Sequence, residues 1–300
     1  MKLATTTADF FRYGLDDIES ILAVKEAGFK HIDYSFSHDF ACHTGLLGDN
    51  WKQFAEKLLE IAETGEIDFV QAHSPLGRPL VFNEQHEDFI SATRQSIEAA
   101  AYIGIKNIVV HSGYRPHISK EENFRLNKEF YEDLLETAEK CNINILTENY
   151  EKMNSDDCYW ADSAAEVAEL ADFINHPRLK VCWDTGHGNM MPTPQHEALA
   201  LLGDRIAALH VQSNSGLADD HIMPFMGTLN MDSLMHGLID IGYNGYFTFE
   251  ADGLLGNWRR NKYEADTRLA VYPLEFAKRF ESIMYDMGEY VLKTYDCFEE

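Results

Sequence analysis

The feature that most constrains the fold is a regular alternation, along the whole chain, of short apolar or β-branched segments with longer amphipathic ones. Helical patterns occur, for example, at residues 16–29, 86–105, 122–141 and 231–243. This alternation is typical of β–α units that build a parallel sheet. Eight segments have strand character: KLATTT (2–7), KHIDYSF (30–36), DFVQAHS (68–74), NIVVHSG (107–113), NILTENY (144–150), LKVCWDT (179–185), AALHVQS (207–213) and YFTFEAD (246–252).

Eight strands, each followed by a helix, in a chain of 300 residues predict an α/β fold, a closed (β/α)8 TIM barrel. An open, doubly wound sheet is the less favoured alternative. No Pro-, Gly- or Ser-rich linker and no low-complexity segment interrupts the series, and the 45% apolar content supports a large core. We therefore expect residues 1–300 to form a single domain.

The charge of the chain limits the partners it can bind. Asp and Glu number 50 against 25 Lys and Arg, which gives a formal charge of −25. Such a surface repels phosphate backbones and anionic membranes, so neither nucleic acid nor a membrane is an expected partner. A homo-oligomer is compatible with the sequence.

The cysteines and the N-terminus indicate a reducing compartment. The five cysteines are scattered and form no CxxC pair, which argues against a disulfide framework or a cysteine zinc site. The N-terminal segment lacks the apolar run of a signal peptide, and no stretch approaches the roughly 18 apolar residues of a membrane span. We expect a cytoplasmic protein.

Titratable residues recur where the predicted strands end. In a TIM barrel these carboxyl ends meet on one face, which is where active sites are built. An unpaired buried charge is costly, so their repetition on one rim indicates a functional site. The residues are His73, His111, Glu148, Asp184 with the nearby His187, His210 and Glu250, and the DDHIMP segment adds Asp219 and His221.

Four of these residues form a candidate metal site. A buried Glu without a cation or a bonded partner is rare, and Glu148 and Glu250 both follow apolar runs. Together with Asp184 and His210 they supply three carboxylates and one imidazole. This oxygen-rich set suits Mn²⁺, Mg²⁺ or Co²⁺ and does not exclude Zn²⁺. Taken singly, His73 and His111 are better explained as ordinary buried polar residues.

Five multi-residue motifs resemble a known family. They are TEN at Glu148, VCWDTGHGN, LHVQSN, DDHIMPFMGTLN and GYNGYFTFE. In order and spacing they resemble the sugar phosphate isomerases/epimerases, which are xylose isomerase-like barrels related to the abasic-site endonucleases. The sequence departs from this pattern at Ser213, where the family commonly has an acidic residue.

The resemblance implies a metal-dependent sugar isomerase or epimerase. Glu148, Asp184, His210 and Glu250 would coordinate one divalent cation, and His187 would contact the substrate. The two glutamates would lie on opposite faces of a bound sugar or sugar phosphate. Further substrate-binding candidates are His73, His111, Asp219 and His221.

The expected chemistry is proton abstraction next to a carbonyl through an enediolate. If Glu148 removes the proton on one face and Glu250 returns one on the other, the carbon is epimerised. If the proton moves between adjacent carbons, an aldose and a ketose interconvert.

The sequence leaves two other functions open. All nine residues named above also match the ligand set of the abasic-site endonucleases, which would hold up to three Zn²⁺ ions and cleave a phosphodiester. That activity requires Lys and Arg contacts to phosphates, to which the charge of −25 is poorly suited. A barrel that binds a ligand without turnover is the third possibility, and the presence of both glutamates favours an enzyme.

Several loop residues are candidates for substrate contacts. Arg259, Arg260 and Lys262 follow the last strand, where barrels often bind phosphate, and Arg115 follows strand four. Solvent-exposed charges explain the first three equally well. Trp160 and Trp258 also lie in predicted rim loops and either cover a sugar face or simply pack.

Overall fold

The computed structural model describes residues 1–150, 161–255 and 273–300. Within these residues the predicted (β/α)8 barrel is confirmed, and each of the eight predicted strand segments overlaps an observed strand. The strands are β1 (Lys2–Thr6), β2 (His31–Ser35), β3 (Asp68–His73), β4 (Asn107–Val109), β5 (Asn144–Glu148), β6 (Leu179–Asp184), β7 (Ile206–His210) and β8 (Tyr246–Phe249).

Helices alternate with the strands throughout the described residues. None of them is long and apolar enough to cross a membrane. Short 3₁₀ helices occupy Thr7–Tyr13, Gly45–Leu47 and Gly203–Arg205. The α-helices are α1 (Asp17–Ala27), α2 (Ser37–Cys42), α3 (Trp51–Gly65), α4 (His86–Tyr102), α5 (Lys120–Cys141), α6 (Ala164–Ile174), α7 (Thr185–Asn189), α8 (Gln195–Leu202), α9 (Met231–Asp240) and α10 (Leu274–Thr294).

The strands pair in parallel in the order β7-β6-β5-β4-β3-β2-β1-β8. The two ends of this order meet just beyond β7, where Val211 forms a parallel bridge with Phe249. The Val211 amide donates to the Thr248 carbonyl at 2.7 Å, and the Glu250 amide donates to the Val211 carbonyl at 3.2 Å. We call this short contact the seam, and it closes the barrel at its carboxyl end.

The inside of the barrel holds a small apolar layer that is separate from the main core between sheet and helices. It consists of Val109, Leu146, Cys182 and Ala208. Side chains two residues apart on a strand point to the same face. The side chains that follow on β5, β6 and β7, listed in the same order, therefore also point inward at the mouth: Glu148, Asp184 and His210.

The first and last helices are packed against each other. Asp16 and Glu19 form a capping box at the start of α1, which ends at Gly28. Gly28 has φ +116°, and a side chain there would lie 3.3 Å from the ring of Tyr285 in α10. Only glycine therefore satisfies both the backbone conformation and the close helix contact.

A buried carboxyl pair lies beneath α10. Glu281 is fully buried, as is Asp9 in the β1–α1 loop, and the charge of Glu281 acts on the Asp9 carboxyl. Thr5 Oγ1 also donates to Asp9 at 3.1 Å. Burial raises the pKa of Glu281 to about 7 and raises that of Asp9 well above its ordinary value. The two carboxyls therefore cannot both ionise at little cost.

We predict that Glu281→Gln stabilises the protein at alkaline pH. Because the folded-state pKa of Glu281 is raised, its contribution is full below the unfolded pKa of 4.5 and is lost as the pH rises to about 7. That loss is about 3 kcal/mol in the free energy of unfolding. The neutral amide of the variant does not titrate.

Urea unfolding at pH 5 and pH 8 checks this prediction. The difference between variant and wild type should increase in favour of Glu281→Gln at pH 8. The half-exposed Glu289→Gln on the same helix is the control and should show no such pH dependence. Equal stability differences at both pH values would contradict a raised pKa of Glu281.

Candidate active site

The predicted site residues surround one cavity of about 370 Å³ at the carboxyl end of the barrel. His73, His111, Glu148, His187, Asp219, His221 and Glu250 line it. Asp184 and His210 lie fully buried beneath them. All nine candidates from the sequence are thus brought together, and the possible metal ligands among them fall into three groups.

The first group is the predicted metal quartet, Glu148, Asp184, His210 and Glu250. One ligand atom of each lies within 4.8 Å of the others. His210 Nδ1 is 2.5 Å from Glu148 Oε1 and 3.2 Å from Glu250 Oε2. The buried Asp184 Oδ2 accepts no hydrogen bond from the described residues. A divalent cation fits this donor set, because it would compensate three carboxylates that are costly to bury together.

Asp33 fixes the orientation of the His210 ring. The Asp33 carboxylate lies 3.0 Å from His210 Nε2 and also accepts from Gln71 Nε2 at 2.9 Å. All three residues are buried inside the barrel. With Nε2 hydrogen-bonded to Asp33, His210 directs Nδ1 to the quartet. A carboxylate behind a ligating imidazole in this way is a common support of metal sites.

The second group comprises His73, His111 and Glu148. His73 Nδ1 donates to the Ser74 carbonyl at 2.8 Å, which leaves Nε2 facing the cavity. This Nε2 is 3.1 Å from His111 Nε2, and His111 Nε2 is 2.8 Å from Glu148 Oε2. Glu148 therefore belongs to two groups at once, with one oxygen towards His210 and the other towards His111.

The third group comprises His187, Asp219 and His221. His187 Nδ1 donates to the Asn149 carbonyl at 2.9 Å, and its Nε2 is 3.3 Å from Asp219 Oδ2. His221 Nε2 is 3.1 Å from Asp219 Oδ1, and His221 Nδ1 donates to the Glu250 carbonyl at 3.0 Å. The two imidazoles therefore share one carboxylate at the rim of the cavity.

The TGHG segment after β6 places His187 through its two glycines. Asp184 caps α7 by accepting from the His187 amide at 2.6 Å. A side chain at Gly186 would lie 2.0 Å from Gln212, and one at Gly188 would lie 2.5 Å from Trp183. Only glycine fits at these positions, so the short helix packs tightly on the barrel and turns His187 inward.

The loop after β7 is folded back so that Asp219 and His221 reach the site. Ser213 and Ile222 form an antiparallel bridge with hydrogen bonds of 2.8 and 2.9 Å. His221 adopts φ +44°, a left-handed conformation that non-glycine residues adopt only when their surroundings hold them there. Ser213, the departure from the family pattern, is buried and helps to close this loop.

The two glutamates of the quartet experience opposite local electrostatics. Burial alone would raise the pKa of Glu148, but the charge of His210 and hydrogen bonds from His111 and His210 hold it well below its ordinary value. Burial raises the pKa of Glu250 to about 7, with the nearby Glu148 charge adding to the effect. Two carboxyls with separated pKa values are suited to different roles in proton transfer.

The surroundings of His187, in the third group, and of His111, in the second, shift the pKa values of these two imidazoles in opposite directions. Burial would lower the pKa of His187, but the charges of Asp184 and Asp219 raise it to about 10. The pKa of Asp219, which burial would raise, is held well below its ordinary value by His221 and His187. Burial lowers the pKa of His111 to about 4. His187 is therefore a hydrogen-bond donor to the cavity, whereas His111 is neutral.

Arg12 is the one cationic Lys or Arg side chain among the described residues that line the cavity. Its guanidinium donates to Asp252 at 2.8 Å. Neither Arg12 nor Asp33 is among the residues predicted from the sequence, although a lone Asp within the strand segment KHIDYSF is a signal that points to Asp33. Asp252 also lies 3.6 Å from His221 Nδ1, which connects the rim to the third group.

Of the loop residues predicted from the sequence to contact substrate, the structure describes Arg115. Arg115 is not among the residues that line the cavity, and its guanidinium lies 5.7 Å from the ring centroid of Phe82. The remaining candidates lie outside the described residues and stay untested: Trp160, Trp258, Arg259, Arg260 and Lys262.

Comparison with protein families places the chain. Residues 21–268 match the model of the family described as xylose isomerase-like TIM barrel. The chain belongs to this family. The match covers all strands from β2 to β8, so it includes all nine site residues of this xylose isomerase-like barrel.

Individual relatives are distant. A fructoselysine 3-epimerase of Escherichia coli O157:H7 is 28% identical over 118 residues, which are 39% of this chain and 42% of the relative. D-psicose 3-epimerase from Clostridium cellulolyticum H10 aligns with a TM-score of 0.74 at 17% identity, over 97% of this chain and 99% of its own. An AP endonuclease family 2 protein from Brucella melitensis aligns with a TM-score of 0.67 at 18% identity, over 88% of this chain and 99% of its own. These structural likenesses establish the fold.

We predict that Asp33→Asn weakens metal binding. The amide keeps the shape of the side chain but loses the negative charge behind His210. The dissociation constant for Mn²⁺ or Zn²⁺ should rise about 10- to 100-fold. Competition with a metallochromic chelator measures this directly and does not depend on turnover. The exposed Asp172→Asn is the matched control and should bind metal as the wild type does. Unchanged affinity in Asp33→Asn would reduce its role to packing.

Proposed function

We propose that the protein is a divalent-metal-dependent epimerase or isomerase of ketose sugars. The single observation that carries this proposal is the arrangement of the quartet. Glu148 and Glu250 come from β5 and the end of β8, and both contact His210 Nδ1, at 2.5 and 3.2 Å. Both glutamates also line the cavity of about 370 Å³, which has room for a small substrate beside them.

The comparisons support this choice of chemistry. The matching relatives include fructoselysine 3-epimerases, and the similar structures include the D-psicose 3-epimerase. These proteins are all named as 3-epimerases. Fold alone would not assign the activity, because barrels of this kind host many reactions. The quartet and the named relatives together favour a sugar epimerase.

Glu148, Asp184, His210 and Glu250 are the residues that would hold the cation. Mn²⁺, Mg²⁺, Co²⁺ and Zn²⁺ all suit three carboxylates and one imidazole. When bound, such an ion supplies Lewis acidity that makes the hydrogen next to a sugar carbonyl more acidic and stabilises the resulting enediolate.

The protein's own side chains would carry out the proton transfers. Glu148 removes the proton next to the carbonyl on one face of the sugar, and Glu250 delivers a proton to the other face. His187 donates a hydrogen bond from Nε2 to a sugar oxygen, while the bond of its Nδ1 to the Asn149 carbonyl at 2.9 Å holds the ring. His73 and His111 bind further hydroxyls beside Glu148. Transfer across the two faces epimerises one carbon, and transfer between adjacent carbons isomerises the sugar.

A second candidate function is supported by one specific observation. The nine residues form three possible metal groups, each with ligand atoms within 4.8 Å, rather than the quartet alone. Such a set is compatible with a multinuclear zinc phosphodiesterase of the abasic-site endonuclease type. The rim argues against it, because Asp219, Asp220 and Asp252 line the cavity with Arg12 as the one described Lys or Arg. Together with the charge of −25, this rim is unfavourable for a DNA backbone.

We predict solvent exchange at the carbon next to the carbonyl. The protein is incubated with Mn²⁺ in deuterated water and with a panel of ketoses and ketose phosphates. An accepted sugar should gain deuterium, because the abstracted proton exchanges with solvent before it is returned. Mass spectrometry and NMR give the amount and the position of the label, and removal of the metal with a chelator should abolish the exchange.

One combination of results would contradict the epimerase proposal. Absence of exchange across the panel, combined with cleavage of abasic duplex DNA at physiological salt, would replace the epimerase by the phosphodiesterase. Such cleavage should weaken steeply with added salt, since phosphate contacts release counterions.

We predict that Glu250→Gln lowers kcat by at least about 100-fold, because the variant cannot donate or accept the proton. Circular dichroism and thermal unfolding should report an intact fold, since the amide has the shape of the carboxyl. Glu169→Gln, an exposed residue that pairs with Lys120, is the control and should keep full activity. Turnover near the wild-type rate in Glu250→Gln would remove this residue from the mechanism.

A further inference from the structure

A further cluster of possible metal ligands lies where α1 and α2 meet, outside the candidate active site. It consists of Asp17 at the start of α1 and of His38 and Asp39 in the first turn of α2. One ligand atom of each residue lies within 4.8 Å of the other two. None of the three residues lines the cavity of the candidate active site, so the proposed chemistry leaves this α1–α2 cluster without a role.

The Asp39 carboxylate is held through only one of its two oxygens. Oδ2 accepts hydrogen bonds from the Tyr34 hydroxyl and from the Leu46 amide, both at 2.9 Å. Oδ1 accepts none from the described residues, although Asp39 is completely buried. Two donors on Oδ2 fix the orientation of the carboxylate, so Oδ1 is the atom that is left for a further partner.

Asp17 and His38 also present buried atoms that lack a hydrogen bond within the described residues. These atoms are Asp17 Oδ1 and His38 Nδ1, and the 3.7 Å between them is longer than a hydrogen bond. The other ring nitrogen, His38 Nε2, lies 3.7 Å from the Cys42 sulfur. With its proton on Nε2, the ring would donate to Cys42 and leave the lone pair of Nδ1 for a cation.

The choice between a proton and a cation is decided by the imidazole. Buried polar atoms without partners are costly, and two adjacent carboxylates are more so. Burial, with the charge of Asp17 adding to it, raises the pKa of Asp39 to about 9. A proton between the two carboxylates would compensate one charge but leave His38 Nδ1 without a hydrogen bond. A cation would serve all three atoms at once.

The donor types and their spacing suit Zn²⁺. Its bonds to imidazole nitrogen and carboxylate oxygen are about 2.0 to 2.2 Å long, which places tetrahedral ligand atoms about 3.3 to 3.6 Å apart. The 3.7 Å between His38 Nδ1 and Asp17 Oδ1 is close to this spacing. A side chain at Gly45 would lie 2.1 Å from Asp39 Oδ1, so glycine leaves the space beside this oxygen open. The His38 side chain is 28% exposed, which gives an ion and a water ligand access from solvent.

We propose that Asp17, His38 and Asp39 form a second metal site, which binds one Zn²⁺ ion and joins α2 to α1. The site is separate from the quartet, and the inference does not depend on the proposed function. Ser37, which precedes His38 in α2, lines the cavity of the candidate active site. The bound ion would hold this wall of the cavity in place, so its role is structural.

Anomalous diffraction at the zinc absorption edge locates the ion. Crystals of the full chain are grown from protein dialysed against Zn²⁺ at micromolar free concentration. We expect a peak within bonding distance of Asp17, His38 and Asp39, at about 2.0 to 2.2 Å from one atom of each. Its position distinguishes it from any ion bound by the quartet.

Two variants test the ligands in solution. Equilibrium dialysis over a series of free Zn²⁺ concentrations, followed by elemental analysis, gives the number of ions per chain. Both His38→Gln and Asp39→Asn should need at least about 100-fold more free Zn²⁺ to reach the wild-type number, because the loss of a direct ligand costs at least as much as the loss of a supporting residue. Circular dichroism checks the fold, which Asp39→Asn should retain because its amide oxygen still accepts from Tyr34 and Leu46.

His196→Gln is the matched control. It removes an exposed histidine that pairs with Ser233, and it should bind Zn²⁺ as the wild type does.

Three results would overturn the inference. They are the absence of a peak at the α1–α2 cluster, a peak that fills only at millimolar Zn²⁺, and identical binding curves for the wild type, His38→Gln and Asp39→Asn. Each would mean that a proton, and not a metal ion, compensates the two carboxylates. Solvent exchange into a ketose tests the epimerase function separately, so that proposal would stand in all three cases.

Discussion

The rest of the structure depends on the compensation of negative charge inside the barrel mouth. Glu148 and Asp184 are buried, and Glu250 is largely buried. The His210 ring lies between the two glutamates. Isolated buried carboxylates cost several kcal/mol each, so the surroundings must supply protons, hydrogen bonds or a cation. The protein supplies the first two through its imidazoles, and Asp33 holds the His210 ring in position. The remaining oxygen of Asp184 has no donor among the described residues, which favours the third.

The barrel makes this concentration of charge possible by layering. The small side chains Leu146, Cys182 and Ala208 fill the interior immediately below the charged residues. They provide an apolar floor that excludes water and strengthens each electrostatic interaction above it. Register shifts occur next to Asp33 in β2 and next to Cys182 in β6. Such bulges change the direction in which side chains point. Here one bulge lies in the strand that directs Asp33 towards His210, and the other lies in the strand that ends at Asp184.

The sequence was sufficient to predict what is periodic and local. The eight strands follow from alternating apolar segments, and residues such as Glu148 and His210 end those strands, so their convergence follows from barrel geometry. Asp33 and Arg12 were missed because their importance arises from contacts with residues distant in the sequence: Asp33 with His210, and Arg12 with Asp252. The grouping of the nine residues into three sets likewise depends on loop conformations, such as the Ser213–Ile222 bridge, that no local pattern specifies.

The seam between β7 and β8 has a mechanical consequence. Among the described residues, the backbone pairing of these two edges is confined to the contact around Val211 and Phe249, and His210 and Glu250 lie immediately beside it, one on each edge. Local opening of a fold starts where few hydrogen bonds have to break, which makes this edge the natural place for the barrel to separate. A ligand held by both side chains would link the two edges and oppose that separation. Occupancy of the site and the integrity of the closed ring would then be coupled through the same two residues.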